Sequence, residues 1–252
     1  MCLVLLAVGV RPDLPLVVAA NRDEFHARPS AAAHRWPGPA GIVAGRDLEA
    51  GGTWLGVAAS GRFAAVTNVS EVPSSGTFRS RGDLVPAFLA SGEGARVYAD
   101  RIDACAYRGF NLLLWDGEDL VYSSNRHPGQ LLGPGIHALA NGMLDEARFK
   151  VSRSRRALAD VLTSAPEGAL VDALFSPLAD RALPPEPEER TVAGMSEAEV
   201  AALAAPFIVG ERYGTRASTA LCVGAQSIAF EERRFAPGGV PAGTSRFRWD
   251  RV

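Results

Sequence analysis

The sequence predicts an α+β fold whose sheets are largely antiparallel. Short β-prone runs come in pairs across turn residues, which is hairpin chemistry. The helical patterns gather in two blocks between runs of strands, and a βαβ alternation is missing. At 252 residues the chain is long enough to bury a sizeable core, and residues 1–252 are read as one domain.

The first pair is LVLLAV and LVVAAN, separated by GVRPDLP, whose prolines and aspartate supply a turn. If the pair is an antiparallel hairpin, Cys2 at the start of the first strand meets Asn21, Arg22 and Asp23 at the end of the second. FHARPSAAAHRWPGPAG then reads as loop, with three prolines and alanines that lack periodicity. TWLGVAA and RFAAVTNV flank Ser60-Gly61, NLLLW and LVYSSN flank DGED, and TALCVG and SIAFEERRF flank Ala225-Gln226, giving three further hairpins. Helices are expected in GDLVPAFLAS, around ARVYADRI, in DEARFKVSRSRRALADVLTSA, and then in GALVDALFSPL and SEAEVAALAAP. ADRALPPEPEERT is a charged, proline-rich surface loop after which strands resume. No strand is predicted beyond SIAFEERRF.

A formal charge of −2 and a pI near 6.1 leave no basic stripe for nucleic acid and no polybasic membrane patch. The expected partner is a small molecule. Cys2, Cys105 and Cys222 are odd in number and contain no CxxC, which fits a reducing compartment. Leu3 to Val10 is too short to span a bilayer and lacks signal-peptide flanks, so the protein is read as cytoplasmic and without a membrane span. His26, His34, His127 and His137 show no HxxxH or HExxH spacing, so no metal site is expected. There is no GxxxxGK[ST] and no strand-anchored GxGxxG. Arg81-Gly82-Asp83 reads as the start of a helix, where the helix dipole favours Asp83.

Cys2 alone reads first as a small hydrophobe opening a strand, with a nucleophile as the alternative. If Met1 is removed, Cys2 carries both a thiol and a free α-amine. An α-amine titrates at about 7.7 to 8.0 and serves as a base one residue from the thiol it must deprotonate. AANRDEF adds four consecutive polar residues at the end of an apolar strand. A guanidinium there favours the thiolate, and Asp23 accepts hydrogen bonds from the new ammonium or from Arg22. The alternative is a solvated strand end. Asn68, Asn111 and Asn141 sit among apolar or small residues, where a side-chain amide either stabilises an oxyanion or satisfies a turn. Arg216 is placed just before a strand, with Gly214 admitting a close backbone approach. It either binds a carboxylate or faces water.

Cys2, Asn21-Arg22-Asp23-Glu24, AGRDLEAGGTWLGV, SRGDLV, GFNLLL, LANGMLDE and YGTRAST occur in that order, and together they resemble the NRDE, or transport and Golgi organisation protein 2, family. The resemblance runs from Cys2 to about Val223. It implies a four-layer αββα sandwich similar to N-terminal nucleophile hydrolases, and a pattern similar to the branch that cleaves carbon–nitrogen amide bonds. On that resemblance Cys2 is the nucleophile and its freed amine the base. Arg22 and Asp23 match an Arg and an Asp after the second strand, although here they are adjacent. Asn141 matches an oxyanion-stabilising asparagine just after a strand, and Arg216 resembles the arginine that backs the nucleophile. Asn21, Asn68 and Asn111 are expected to contact substrate. No cofactor is required. The family's links to haem mobilisation and to acyl-lipid handling imply the alternative, a non-catalytic carrier that uses the same cleft for haem or an acyl lipid.

Overall fold

The computed structural model describes residues 2–71, 76–186, 192 and 194–251. Its N-terminal half contains β1 (Cys2–Arg11), β2 (Leu14–Phe25), β3 (Ser30–Arg35), β4 (Val43–Asp47), β5 (Leu55–Val57), β6 (Phe63–Asn68), α1 (Leu84–Ala90) and α2 (Ala95–Asp100). There follow β7 (Phe110–Trp115), β8 (Leu120–Ser124), β9 (Gln130–Leu132), β10 (Gly135–Leu139) and α3 (Phe149–Ser164). The chain continues through α4 (Leu170–Ala173), α5 (Phe175–Leu178), α6 (Glu197–Ala202), β11 (Tyr213–Val223), β12 (Ser227–Ala236) and β13 (Val240–Asp250).

The strands form two antiparallel sheets. One has the order β10-β1-β2-β11-β12-β13, the other β3-β4-β5-β6-β7-β8-β9. Three apolar layers hold them in an αββα sandwich. Val4, Leu6, Val18 and Leu221 of the first sheet meet Phe63, Ala65 and Leu113 of the second. On its outer face the first sheet offers Leu3, Leu5, Val17 and Ala19 to Leu158, Leu174 and Leu178 of the helical layer. The second sheet packs Ala64, Leu112 and Leu114 against Val85, Phe88 and Tyr98. A strand covered on both faces must be apolar at consecutive positions, which is why LVLLA shows no alternation. Burying each such large side chain contributes about 1.5–3 kcal/mol.

The four predicted hairpins are present as β1–β2, β5–β6, β7–β8 and β11–β12. Gly61, with φ +89°, makes the β5–β6 turn, where an added Cβ would sit 3.0 Å from Val223. The predicted helical segments all carry helix, and α6 opens with a capping box between Ser196 and Glu199. GALVDALFSPL splits into α4 and α5.

Two segments depart from expectation. SAAAHR, read as loop, is strand β3 at the edge of the second sheet. Alanine has little strand preference of its own, so this strand is set by its pairing with β4 and by the Glu232 carboxylate, which accepts the Ala33 amide at 2.8 Å. β13 is also unpredicted. Only its last residues show an inward face, Phe247 and Trp249, packed on the core between the sheets. The proline-rich loop is described in part, and residues 187–191 of it lie outside the described residues. No helix among the described residues is long and apolar enough to cross a membrane.

Candidate active site

Strand alternation decides what the ends of β1 and β2 do. Val4 and Leu6 face the core between the sheets, so Cys2, two residues earlier, points the same way. Cys2 is paired in register with Arg22, which shares its face with Val18 and Ala20. At this end of the sandwich the apolar interior gives way to a cavity of about 830 Å³, lined by Cys2, Arg22, Asp23, Asn68 and Arg216 among others.

Cys2 N donates to Asn141 Oδ1 at 2.9 Å, so the atom that becomes the α-amine once Met1 is removed is already held. Asn141 is itself fixed, because its Nδ2 donates to the Asn68 carbonyl at 2.7 Å. Thr67 Oγ1 donates to the Ala140 carbonyl at 2.7 Å, and Asn111 Nδ2 donates to the Gly142 carbonyl at 2.8 Å. The end of β10 in one sheet is thereby tied to β6 and β7 in the other. Asn141 thus holds the Cys2 nitrogen from a buried position and is not among the residues lining the cavity.

Burial pushes the Cys2 thiol above its ordinary value and Asp23 adds to this, while the positive chain terminus and Arg22 pull it down. The upward direction favours the protonated thiol, so attack by the sulfur calls for a base. Arg22 Nη2 lies 3.4 Å from Asp47 Oδ2 and 3.8 Å from Glu24. Its Nη1 is buried without a hydrogen-bond partner among the described residues, a donor left over at the cavity wall.

Asp23 lies on the other face of β2, beneath the helices. Its Oδ1 accepts from Thr215 Oγ1 at 2.7 Å, and its Oδ2 stands 3.6 Å from Lys150 Nζ. Both members of the pair are buried, with whole-residue exposures of 3%. Burial pushes the Asp23 carboxyl up, while Lys150, the chain terminus and Thr215 pull it back. Lys150 also donates to the Leu203 carbonyl at 3.3 Å. The sequence reading missed this residue, yet Lys150 is the chain's only lysine and lies four and eight residues before Ser154 and Leu158 on the buried stripe of α3. Glu232 was also missed. It is buried in the cavity wall, and burial pushes its carboxyl up.

Three expected roles change with these placements. Asn21 does not reach the cavity: it is fully buried beside Asp23's face, donating to the Leu178 and Pro206 carbonyls and accepting from Ser218 Oγ. Asn111 is likewise buried and spent on Gly142, Thr67 and Tyr122, so it shapes the Asn141 turn and does not contact a ligand. Arg216 sits inside β11, at a bulge, and not before it. It lines the cavity but braces the loop after β2, donating to the Phe25 and Arg28 carbonyls at 2.9 and 3.0 Å. Gly214 does permit close approach, since a Cβ there would lie 2.9 Å from the Ile208 carbonyl. Cys222 is a buried thiol pushed up to about 12 by burial, and Cys105 is exposed in a turn.

The chain is thus an antiparallel αββα sandwich with a cysteine near its start, opening on a polar cavity at the strand ends. The chain belongs to the family described as Transport and Golgi organisation 2, whose sequence profile matches residues 1–237. It is 31% identical over 272 residues to a Transport and Golgi organization protein 2 homolog of Bos taurus, covering 99% of this chain and 96% of the relative. The homolog of Homo sapiens is 31% identical over 255 residues, covering 92% of each chain. Among solved structures, a Caenorhabditis elegans N-acylethanolamine-hydrolyzing acid amidase ortholog is similar at a TM-score of 0.46 and 11% identity, over 69% of this chain and 86% of that one.

Proposed function

We propose that the protein is an N-terminal cysteine hydrolase acting on the carbon–nitrogen amide bond of a small acylated molecule. The observation that carries this reading is the 2.9 Å hydrogen bond from Cys2 N to Asn141 Oδ1, made where Cys2 lines the cavity opposite Arg22. With Met1 removed, the α-amine takes the thiol proton and the sulfur attacks the amide carbonyl carbon. Arg22 Nη1, which has no hydrogen-bond partner among the described residues, is the donor available to the oxyanion that forms. The amine then passes the proton to the leaving nitrogen as the C–N bond breaks, leaving a thioester on Cys2. Water, deprotonated by the same amine, releases the acid and restores the thiol. The buried Asp23–Lys150 pair underlies the strand end and keeps the amine's surroundings fixed.

The test is acyl-enzyme capture. Native protein mixed with a panel of acyl amides and quenched in acid should show a thioester adduct on the peptide beginning at Cys2. Cys2→Ala should show no adduct and no turnover. Full turnover by that variant would end the proposal.

One observation favours a second reading, carriage of haem or an acyl lipid without chemistry: arginines from several segments line the cavity around Cys2 and offer donors to a ligand's carboxylates or phosphates whether or not the thiol reacts. On that reading, haem or acyl-lipid binding is the same in Cys2→Ala as in the native chain, and no adduct forms.

A further inference from the structure

Eight arginines and no lysine line the cavity, against five carboxylates. Three of the arginines have acidic neighbours. Arg28 holds Asp47 at 2.6 Å and Glu49 at 3.1 Å, Arg22 reaches Asp47 at 3.4 Å, and Arg234 lies 3.9 Å from Glu232. Asp23 is turned toward Lys150 behind the sheet. The other five arginines have no carboxylate within 4 Å among the described residues.

Most of those five are held by other means. Arg46 stacks on Trp36, Arg79 on Tyr107 and Arg108 on Phe78, while Arg216 donates to backbone carbonyls. Arg81 differs from them. It is half-buried in the turn that opens α1, and among the described residues its side chain makes one hydrogen bond, from Nη1 to the Gly109 carbonyl at 2.9 Å. Burial disfavours its charge and the like charge of Arg108 adds to this, while the Glu71, Cys2 and Glu24 charges favour it without any carboxylate of the described residues coming within 4 Å. A guanidinium placed so makes no contact ion pair and leaves most of its donor fork without a hydrogen bond among the described residues, a geometry suited to paired oxygen atoms.

We propose that the molecule handled at Cys2 is an organic oxyanion, a carboxylate or a phosphate, whose charged group seats on Arg81 beside Arg108. The proposal rests on the reading of this cavity as the substrate site. Chemically it separates ligands by charge, because an anionic ligand gives Arg81 the contact ion pair that the described residues do not and a neutral amide of the same length does not.

Three octanoyl amides of matched length test it: N-octanoyl-3-aminopropanol, N-octanoyl-β-alanine and N-octanoyl-3-aminopropyl phosphate. Their binding is measured by calorimetry on the full-length Cys2→Ala protein, where chemistry is blocked. At least one anionic amide should bind about tenfold or more tightly than the alcohol, as one charge-assisted hydrogen bond supplies. Which of the two does so distinguishes carboxylate from phosphate. Added salt should shrink the preference, and Arg81→Met should reduce it to about twofold or less, with Arg81→Lys keeping part of it. Arg108→Met should weaken it as well and serves if Arg81→Met does not fold. Equal or tighter binding of the alcohol, no binding by any of the three, or an undiminished preference in folded Arg81→Met would overturn the proposal. Turnover separates the two readings. A charge preference without turnover by the native protein removes the hydrolase and leaves the oxyanion site standing, whereas selective turnover of the alcohol does the reverse.

Discussion

The two faces of β2 at its end put one four-residue run to two uses. Asn21 and Asp23 point under the helical layer, where both are buried and their polar atoms are engaged by Leu178, Pro206, Ser218, Thr215 and Lys150. Arg22 and Glu24 point into the cavity between the sheets, where Arg22 keeps an unused donor. The motif is therefore not four site residues in a row but two alternating pairs. The side chains of one pair fix the strand end and those of the other line the cavity. Strand alternation alone produces the division.

The comparison breaks most visibly at Asp23. Asp23→Ala leaves Lys150 charged and buried without its carboxylate, and stability measured by urea unfolding should fall by about 3–5 kcal/mol. Adding Lys150→Met to that variant should recover much of the loss, since an apolar pair of similar volume has no charge to desolvate. A drop below about 1 kcal/mol for Asp23→Ala would mean that water reaches the pair and that the two faces are not distinct in the way described.

Asn21→Ala should come next, at about 1–3 kcal/mol, because two buried carbonyls and a buried hydroxyl lose their partner. It should leave the affinity for cavity ligands unchanged, and altered affinity in folded protein would place Asn21 at the site after all. Arg22→Ala should show the opposite pattern. Its contacts to Asp47 and Glu24 are long, and Asp47 is already held by Arg28, so stability should move by about 1 kcal/mol or less. Acyl-enzyme formation by the same variant should fall well below that of the native chain.

The smallest effect belongs to a control region on β10, the edge strand of the first sheet. His137, on β10 opposite Leu6, bonds through Nδ1 to Asp145 Oδ2 at 2.9 Å, and that carboxylate holds its pKa above the ordinary value. A raised histidine pKa stabilises the fold fully below its unfolded value of about 6.5, and the contribution is lost as pH rises through the folded value. His137→Gln should therefore lower Tm more at about pH 5.5 than at about pH 8.5, with cavity binding untouched. An equal loss at both would remove the charge from the interaction.

Much of this was legible in the chain. Hairpin pairing placed Cys2 against Arg22, because a turn between two β-prone runs brings those ends together. What could not be read was which face was which. LVVAAN is apolar on both sides, so nothing in the sequence separates the helix-facing Asn21 from the cavity-facing Arg22. The role of Asn111 was hidden for a similar reason, since a buried amide looks the same whether it holds a turn or a ligand. Lys150 was readable in principle as the sole lysine in step with Leu158 and Leu162. The arginine surplus was not, because Arg22, Arg81, Arg108 and Arg216 come from segments far apart in the chain and only the fold gathers them.

The central claim is that Cys2 acts as the first residue of the mature chain, its amine held by Asn141. Intact mass spectrometry of the native protein tests it most directly. The account predicts a mass lower by one methionine residue, with the first tryptic peptide beginning at Cys2. Retention of Met1 on essentially all molecules would contradict it.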